Sequence, residues 1–551
     1  MGYTPHVLVI GGGAIGTGIA RDLALRGLEV TLVERGPLTN GATGRTHGLL
    51  HSGARFADSH PERAAQCNRE NERLRSIASH CVEETGGLFV SLTDDEYVDR
   101  KQSACEEAGI SVEELDGDEV QKVEPRLSAE IERGLFVPDG TIDPFQLTLA
   151  NARSALEYDT TVMTHTEVSD ITVEDGAVGT VVLSPDDDEG ELLEPDYVVN
   201  AAGPWVDTVA AMADVDVPVE RSAGAMVVMN ERPTEAVVNR CRPPDEADLV
   251  VPYGERCILG TTDSTVDDPD QFERDGQDVD DLVDALGEVV PELPDVRAIR
   301  SYWGLETAPR DTEGPASECE FSIFDHEERD GLWGLSSVVG GNLTMSRLVA
   351  EKVTDHVCAK FGIARACLTA ERPLPRSDSE PAIDSAREEF DLDPAVLSRS
   401  ADRLGSHTRD VLDTIGPNPV VCACESVTRA EVREAVADEF SDPTDIETIR
   451  TRTQAGMGEC QGARCCLRVA SQLYPQYKVP RVNDALTEFY QDRWLGQRHA
   501  LWGEQLGEAM GAYALHATTM NRDGDLEDVD IDGFATGEWD DDASDSPAEV
   551  P

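Results

Sequence analysis

Apolar runs and a glycine-rich turn alternate at the start of the chain. The apolar run His6–Ile10 leads into Gly11–Gly16, apolar residues then follow helical spacing over Thr17–Arg26, and a second apolar run covers Leu28–Val33. Short apolar runs are typical of buried strands, and a repeat of 3.6 residues is typical of a helix packed on one face. The pattern predicts a β–loop–α–β unit of about 30 residues.

The rest of the chain continues to mix strand and helix patterns. The spacing predicts a long helix over 60–85, a strand and glycine turn over 195–205, short strands and a helix (278–289) over 216–310, a strand–turn–helix over 331–360, and helix over 482–517. Alternating strands and helices are typical of α/β proteins with a parallel sheet. The sequence therefore predicts an α/β fold with an inserted, sheet-based second domain.

Charge excludes one large class of function. The chain has 46 Lys and Arg against 109 Asp and Glu, a net charge of −63, and only five of its basic residues are Lys. Nucleic-acid binding needs clustered cations, so we expect no nucleic-acid partner. Because 40% of the residues are hydrophobic and patterned, the chain should fold. In molar salt the Debye length is about 3 Å, which relieves carboxylate repulsion, and this composition is typical of halophilic archaea.

The sequence also bears on location. No apolar run approaches the ~18 residues of a membrane span, and the first six residues carry no charged leader region. We expect a cytoplasmic protein that is peripheral to the cell membrane only through partner subunits.

The glycine-rich turn has the spacing of a dinucleotide-binding site. Gly11, Gly13 and Gly16 follow the first predicted strand and open the first predicted helix, and Glu34 ends the next predicted strand. In such a motif the glycines allow a tight turn and close approach to a pyrophosphate, the helix N-terminus stabilises the phosphates, and the acidic residue binds the ribose.

Three further features favour FAD over NAD. They are a loop rich in glycine and hydroxyl groups, Thr39–Phe56; a glycine turn after a strand, Val199–Gly203; and a Gly-Gly turn that opens a helix, Val338–Thr344. Each alone is also consistent with a structural turn, but together they predict a flavin site. The predicted cofactor residues are Gly11, Gly13, Gly16, Glu34, Arg35, Thr43, Gly44, Val168, Gly203, Gly340, Gly341 and Asn342.

Five of the thirteen cysteines crowd together near the C-terminus. Cys422 and Cys424 form a C-x-C pair, and Cys460 and Cys465 form a C-x4-C pair, with one pair on each of two turns. Four thiolates in this arrangement suit a [2Fe–2S] cluster, and a structural zinc ion is the alternative. The glycine-rich stretch 456–462 favours the cluster, and the fifth cysteine, Cys466, is predicted to be a spare.

The first 360 residues resemble the flavoprotein family of glycerol-3-phosphate dehydrogenases and related amine and hydroxy-acid oxidases. The loop Gly41–Arg55 resembles that of the A subunits of anaerobic glycerol-3-phosphate dehydrogenases, and the likeness continues through Asp139–Phe145, Asn239–Pro243, Ile258–Asp263 and Trp494–Glu504. The cysteine region also resembles the bacterioferritin-associated-ferredoxin-like [2Fe–2S] module. The resemblance implies a second flavin subunit, a membrane-associated iron–sulfur subunit, and quinone as indirect acceptor.

The resemblance implies a division into domains. An FAD-dependent oxidoreductase covers 1–365, with a flavin part (1–90, 140–215 and 325–365) and a substrate part (91–139 and 216–324). A linker (366–415), a [2Fe–2S] domain (416–472), a helical segment (473–519) and a disordered acidic tail (520–551) follow.

The substrate end departs from the family pattern. Arg55 and His51 match family residues beside the flavin, either as substrate and proton-transfer groups or as structural residues. However, the family's Tyr is Phe56, its substrate-binding Arg is Glu306, and its late Lys is Asn342. These changes remove positive charge from a phosphate site unless another cation, with Arg310 as the candidate, replaces it.

Three functions therefore stay open. The first is oxidation of glycerol 3-phosphate to dihydroxyacetone phosphate, with electrons passed towards quinone. The second keeps the fold but oxidises an amine or another hydroxy acid, with Glu306 facing a cationic substrate or acting as a base. The third is a non-catalytic electron-transfer or assembly subunit.

Overall fold

The computed structural model describes the chain in ten segments. These are residues 3–92, 95–185, 190–243, 248–310, 321–377, 390, 392–413, 418–437, 445–501 and 503–519. The predicted acidic tail, 520–551, and part of the predicted linker, 378–389, lie outside them. Among the described helices, none is long and apolar enough to cross a membrane.

In the described part of the chain, a six-stranded sheet carries the predicted β–loop–α–β unit. Its order is β20-β21-β13-β1-β2-β9, and β20 alone runs antiparallel to its neighbour. The strands are β1 (His6–Ile10), β2 (Glu29–Val33), β9 (Thr160–Met163), β13 (Tyr197–Asn200), β20 (Phe321–Asp325) and β21 (Leu335–Gly340). Because other elements cover both faces of the sheet, the parallel strands are mostly apolar, with polar residues such as Thr31, Asn200 and Ser336 buried among them.

Helices α1 (Ala14–Leu25), α5 (Pro144–Leu156) and α9 (Ser346–Lys360) accompany this sheet and share its apolar core. The predicted β–loop–α–β unit is confirmed, with α1 beginning three residues before the predicted start. The predicted helix over 60–85 is shorter, since α2 ends at Ile77 and is followed by a 3₁₀ turn and a strand.

A nine-stranded sheet forms the second layer of the oxidoreductase part. It contains β5 (Gly87–Ser91), β6 (Glu113–Asp116), β7 (Arg133–Val137), β14 (Val219–Met229), β15 (Val237–Arg240), β16 (Leu249–Tyr253), β17 (Arg256–Gly260), β18 (Ser264–Thr265) and β19 (Ala298–Pro309). The long antiparallel pair β14–β19 runs from Val219 opposite Pro309 to Met229 opposite Ala298. Helix α7 (Gly276–Gly287) packs its apolar side chains into the core of this sheet.

Two strands differ from the predicted division of the chain. β5 lies in the predicted flavin part but pairs with β7 and β15, so it belongs to the nine-stranded sheet. β20 lies in the predicted substrate part but pairs with β21 of the six-stranded sheet. Strand pairing depends on partners far away in sequence, so a pattern read along the chain does not assign these edges.

Smaller elements complete the oxidoreductase part. Two three-stranded sheets consist of β3 (Leu49–Leu50), β4 (Val82–Glu83) and β8 (Gly140–Ile142), and of β10 (Thr166–Glu174), β11 (Ala177–Pro185) and β12 (Glu191–Leu193). The remaining helices here are α2 (Pro61–Ile77), α3 (Asp95–Glu107), α4 (Gly117–Val123), α6 (Val206–Ala211) and α8 (His326–Asp330).

The C-terminal region is helical and has its own apolar core. It contains the short hairpin β22 (Val420–Cys422) and β23 (Val427–Thr428), and the helices α10 (Pro394–Leu404), α11 (Thr408–Leu412), α12 (Arg429–Val436), α13 (Ile446–Thr453), α14 (Cys466–Leu473), α15 (Val479–Gln497) and α16 (Gly503–Thr519). The predicted linker 366–415 is therefore partly helical. The many polar residues of this stretch make the amphipathic pattern of α10 hard to recognise in the sequence. In the structure, α10 buries Leu397, Ala401 and Leu404.

Candidate functional site: a flavin cavity and a four-cysteine site

The glycine-rich turn brings the backbone into close contact with a neighbouring strand connection. Gly11 has a φ of +115°, and a Cβ at this position would lie 2.3 Å from the carbonyl oxygen of Ala201. A Cβ on Gly16 would lie 1.9 Å from the Gly11 carbonyl oxygen. Only glycine fits at these two positions, so the turn stays tight, and the N-cap residue of α1, Gly13, has no side chain to cap the helix.

Thr43 lies against this helix N-terminus. Its hydroxyl accepts a hydrogen bond from the Ala14 amide at 3.1 Å, and a Cβ on Gly13 would approach the same hydroxyl to 2.9 Å. The approach of Thr43 therefore depends on glycine at position 13. An open helix N-terminus with backbone amides and a hydroxyl is suited to phosphate groups.

Glu34 is held at the end of β2. Its carboxylate accepts hydrogen bonds from the amides of Gly12, at 2.7 Å, and Gly36, at 3.0 Å. Burial raises the pKa of Glu34, and these two backbone hydrogen bonds oppose the rise. Next to it, the Arg35 guanidinium lies 4.1 Å over the Trp205 ring. The carboxylate is thus fixed at the edge where a ribose would bind.

The far end of the site is formed by the turns after β13 and β21. Gly203 and Gly340 have φ angles of +56° and +82°. The Gly340 amide donates to the Thr307 hydroxyl of β19 at 3.3 Å. The parallel strands β1, β2, β13 and β21 thus all end at one edge of the sheet, which is where α/β folds bind their ligands.

These elements enclose a cavity of about 690 Å³. Eleven of the twelve predicted cofactor residues line it: Gly11, Gly13, Gly16, Glu34, Arg35, Thr43, Val168, Gly203, Gly340, Gly341 and Asn342. The glycine turn, the open helix N-terminus and the fixed carboxylate fit an FAD molecule along the length of the cavity. Bound there, FAD supplies a two-electron acceptor.

Gly44 does not line this cavity and is a correction to the predicted set. The 3₁₀ turn Ala42–Arg45 directs it away, and a Cβ there would lie 2.3 Å from the Thr39 carbonyl oxygen and 3.2 Å from the Phe145 ring. Gly44 instead lines a second cavity.

At the substrate end, His51, Arg55 and Glu306 all line the flavin cavity. Arg55 Nη2 lies 3.3 Å from Asp248 Oδ2, so part of its charge is balanced by a buried carboxylate. Arg310 is the second correction. It follows the last residue of β19, is exposed, and lies 3.6 Å from Glu220, outside the residues that line the cavity.

Sequence reasoning missed Arg63, which the structure brings to the cavity. It lies in the first turn of α2, and its guanidinium stacks 3.6 Å over the ring of Phe56. The ring of Phe56 also lies near His51, with ring centroids 5.2 Å apart. The signal in the sequence was a cation a few residues after the flavin loop in a chain poor in cations.

The histidines and the carboxylate at this end have shifted acidities. Burial, together with Arg55, lowers the pKa of His47 to about 4. Burial also lowers the pKa of His51 well below its ordinary value, and His47, Arg55 and Arg63 add to this effect. Burial raises the pKa of Glu306, Asp263 raises it further, and Arg63 and Arg55 lower it. At neutral pH the imidazole of His51 is therefore neutral, with one ring nitrogen unprotonated.

The four predicted metal-binding cysteines come together on two turns of the C-terminal region. Cys424 Sγ lies 3.7 Å from Cys460 Sγ, and the thiols of Cys422 and Cys465 are hydrogen-bonded, which lowers the pKa of Cys422. Each close pair thus joins one cysteine of each motif. Within the described residues, no group of three or more His, Cys, Asp or Glu side chains has the geometry to hold one metal ion.

The approach of the two turns depends on Gly458. A Cβ at this position would lie 2.3 Å from Cys424 Cβ and 2.7 Å from Glu425 Oε1. The donor set of four sulfurs on glycine-rich turns fits a [2Fe–2S] cluster. Cys466 points elsewhere, since its Sγ lies 2.7 Å from the hydroxyl of Tyr490.

A second cavity, of about 290 Å³, separates the flavin loop from the cysteine turns. Arg45, Thr46 and His47 line both cavities, and Met457 and Gln461, next to Cys460, line the second. The hydroxyl of Tyr302 donates to the Thr46 carbonyl oxygen at 3.1 Å. The loop that lines the flavin cavity and the cysteine turns therefore lie on opposite sides of this second cavity.

Comparisons with known proteins agree with this geometry. A family model described as FAD dependent oxidoreductase matches residues 6–356, and one described as BFD-like [2Fe-2S] binding domain matches residues 420–473. Both predicted cofactors, FAD and a [2Fe–2S] cluster, are thereby confirmed.

Curated relatives match almost the whole chain. The anaerobic glycerol-3-phosphate dehydrogenase A1 subunit of Haloferax volcanii is 47% identical over 97% of this chain and 94% of that protein. The corresponding A subunit of Escherichia coli K12 is 39% identical over 91% and 94%. A solved glycerol-3-phosphate dehydrogenase from Bacillus halodurans, with FAD, covers 94% of this chain and 95% of its own at 20% identity and a TM-score of 0.61, which shows a shared fold. The chain therefore belongs to the family of anaerobic glycerol-3-phosphate dehydrogenase A subunits, FAD-dependent oxidoreductases with a BFD-like [2Fe–2S] domain.

Proposed function

We propose that this chain oxidises glycerol 3-phosphate to dihydroxyacetone phosphate in the flavin cavity. The observation that carries the proposal is the pair of cations, Arg55 and Arg63, at the cavity end that also holds His51. The names of the 47% and 39% identical relatives support the same substrate.

Arg63 supplies positive charge at the substrate end, where Glu306 and Asn342 replace the cations of the family pattern. A phosphate group is bound best by guanidinium groups, which donate two parallel hydrogen bonds. Arg55 forms an ion pair with Asp248, and the guanidinium of Arg63 stacks on the ring of Phe56. These contacts restrain both side chains at the cavity. They lie near enough to Glu306 to lower its pKa, which places both positive charges at the substrate end.

His51 is the group we propose to take the hydroxyl proton. It is buried and neutral, and its amide donates to the Thr344 hydroxyl at 3.0 Å, which fixes the backbone next to the late Gly-Gly turn. FAD held by the residues of the glycine turn would accept a hydride from C2 of glycerol 3-phosphate, and a ring nitrogen of His51 would take the O–H proton. A ketone is left, so atoms and charge balance.

The cysteine domain is placed to receive the electrons. Arg45, Thr46 and His47 line both cavities, and Met457 and Gln461, next to Cys460, line the second, so the second cavity lies between the flavin loop and the cluster loop. We propose that electrons then pass to a second flavin subunit, to a membrane-associated iron–sulfur subunit, and finally to quinone, and that these subunits hold the chain at the cell membrane.

One experiment tests the substrate. Anaerobic holoenzyme in molar KCl is mixed with glycerol 3-phosphate, and the visible band of oxidised flavin is followed. Bleaching supports the proposal. A flavin that stays oxidised with glycerol 3-phosphate, but is bleached by an amine or another hydroxy acid, contradicts it.

A second candidate function is oxidation of a cationic amine. The observation that favours it is Glu306, which lines the cavity together with Asp263 and would attract an ammonium group. The same bleaching experiment, run with a panel of amines, separates the two functions.

A further inference from the structure

One stretch of the cysteine domain contains none of the acidic residues that are frequent elsewhere in the chain. About one residue in five of the whole sequence is Asp or Glu, but the 24 residues Cys460–Asn483 contain neither. The same stretch carries four cations, at Arg464, Arg468, Lys478 and Arg481.

The other long stretches without acidic residues have a different explanation. Three of them have at least 20 residues: 1–21, 35–57 and 331–350. Each contributes part of the flavin cavity, where most of its side chains are buried and a carboxylate would meet the cofactor. The stretch at Cys460–Asn483 is instead largely at the surface.

Apolar side chains are exposed on the same surface. Leu467 is 57% exposed, Tyr474 40% and Val479 58%. Leu467 and Tyr474 are seven residues apart, at the two ends of α14, and so share one helix face. The Tyr474 hydroxyl donates to Asn483 Oδ1 at 3.2 Å, which brings this face next to the first turn of α15, where Val479 begins the helix.

The surface adjoins the cysteine site directly. Cys465 is the residue before α14, and Leu467 and Arg468 lie in the first turn of that helix. Arg468 Nη1 donates to the Val421 carbonyl oxygen at 3.2 Å, one residue before Cys422. Cys465 and Cys422 belong to opposite motifs, so this surface covers one side of the cluster site.

We propose that this surface, defined by Arg464, Leu467, Arg468, Tyr474, Lys478 and Val479, docks an acidic protein subunit that exchanges electrons with the cluster. The proposal rests on the proposed function for the direction of electron flow. Charge complementarity identifies the occupant, because four cations and no carboxylate within Cys460–Asn483 suit a carboxylate-rich partner. Arg464 Nη1 also lies 3.7 Å from Oε1 of Glu459, the residue before this stretch, so Arg468 and Lys478 carry most of this argument. Exposed apolar side chains at the centre add contact area that salt does not screen.

A bilayer surface fits less well. Attraction of basic residues to anionic lipid acts over the Debye length, which is about 3 Å in molar salt. A protein partner in direct contact keeps its hydrogen-bonded ion pairs and its apolar contacts under those conditions.

Lys478 allows a direct test, because it is the single lysine of the sequence after Lys360. The complex is isolated through a tag on this chain, in molar KCl, and treated with a carbodiimide, which joins a lysine amine to a carboxylate with loss of water. The proposal expects Lys478 to be joined to an Asp or Glu of a second subunit. The exposed Lys122 and Lys352 are internal controls and should form no such link.

Other results overturn the proposal. They are a link from Lys478 to a second copy of this chain, a link to the partner from Lys122 or Lys352 alone, no co-isolated subunit, or retention of the chain on anionic vesicles in molar KCl.

Substitution provides an independent measurement. Leu467→Asp combined with Val479→Asp should lower, at least tenfold, the yield of the co-isolated partner. Leu192→Asp, at a residue 67% exposed on β12, is the matched control and should leave it unchanged. Iron content and the reduced-cluster EPR signal must equal the wild-type values in both proteins. Equal co-isolation from all three proteins contradicts the proposal, whereas flavin bleaching by glycerol 3-phosphate tests the proposed function separately.

Discussion

Arg256 of β17 and Glu425, the residue after Cys424, form an ion pair between the nine-stranded sheet and the cysteine domain. The Nη1–Oε1 distance is 2.7 Å, and the side chains are 10% and 5% exposed. Arg399 of α10 lies 3.8 Å from the other carboxylate oxygen. The segment that carries Cys424 is thus tied to the sheet that forms the substrate side of the flavin cavity.

Arg256→Met should loosen this connection. Removing one partner of a buried ion pair leaves an uncompensated charge and costs about 3–5 kcal/mol, towards the lower end here because Arg399 stays close to Glu425. We expect the cluster absorbance to be lost at a lower urea concentration, measured in molar KCl. The double variant Arg256→Met/Glu425→Met removes both charges and should regain most of the loss. If the double variant is as weak as the single one, the pair acts through packing and not through charge.

Gly458→Ala should prevent assembly of the cluster site. The new Cβ would come within 2.3 Å of Cys424 Cβ, which is closer than two carbons can approach, so the turns must separate. We expect the iron-to-protein ratio and the cluster EPR signal to fall by more than half while flavin content is unchanged. Gly507→Ala is the matched control, since a Cβ there has no neighbour within 4 Å in the described structure. Full iron content in Gly458→Ala would show that the turns adjust.

Local patterns in the sequence predicted the flavin end of the site well. The glycine turn, Glu34 and the late Gly-Gly turn each follow a strand, and chain order alone brings the ends of parallel strands to one edge. The contacts of Gly44 were not predictable in this way, because the direction of a residue inside a 3₁₀ turn depends on the neighbours that pack against it.

The substrate end was harder to predict because its cations come from different elements. Arg63 belongs to α2, and its guanidinium stacks on the ring of Phe56 where it lines the cavity. Arg310 is four residues after Glu306, so strand alternation would place both on one face, but β19 ends at Pro309 and Arg310 lies at the surface beside Glu220. The sequence spacing therefore does not show which of the two arginines, Arg63 or Arg310, has its side chain at the cavity.

Arg63→Gln should weaken binding of glycerol 3-phosphate. A hydrogen bond to a charged group contributes about 1.5–3 kcal/mol, so kcat/KM should fall about 10- to 150-fold, mainly through KM. Arg310→Gln removes the same charge from an exposed position and should leave kcat/KM within about twofold of wild type. Equal losses in both variants would mean that long-range charge, and not contact with the phosphate, determines the affinity.

Glu306 should make substrate affinity depend on pH. Glu306 is exposed to the open cavity, but desolvation by the surrounding protein raises its pKa above the ordinary value of 4.5. Arg63 and Arg55 oppose this rise and Asp263 adds to it, so the folded chain holds the proton more strongly than the unfolded chain does. This contribution to folding stability is fully present below the unfolded pKa and is lost as pH rises through the folded pKa. The neutral carboxyl also tolerates a phosphate dianion, whereas the carboxylate repels it.

The ratio of wild-type KM to that of Glu306→Gln, for glycerol 3-phosphate, should therefore increase as pH rises through the pKa of Glu306. A tenfold change corresponds to about 1.4 kcal/mol of repulsion. Ionisation of the substrate, whose second phosphate pKa is about 6, affects both proteins equally and cancels in the ratio. Glu306→Asp keeps the charge and is the control that should retain the pH dependence. If Glu306→Gln instead lowers kcat at every pH with KM unchanged, the carboxylate acts as the base and His51 does not.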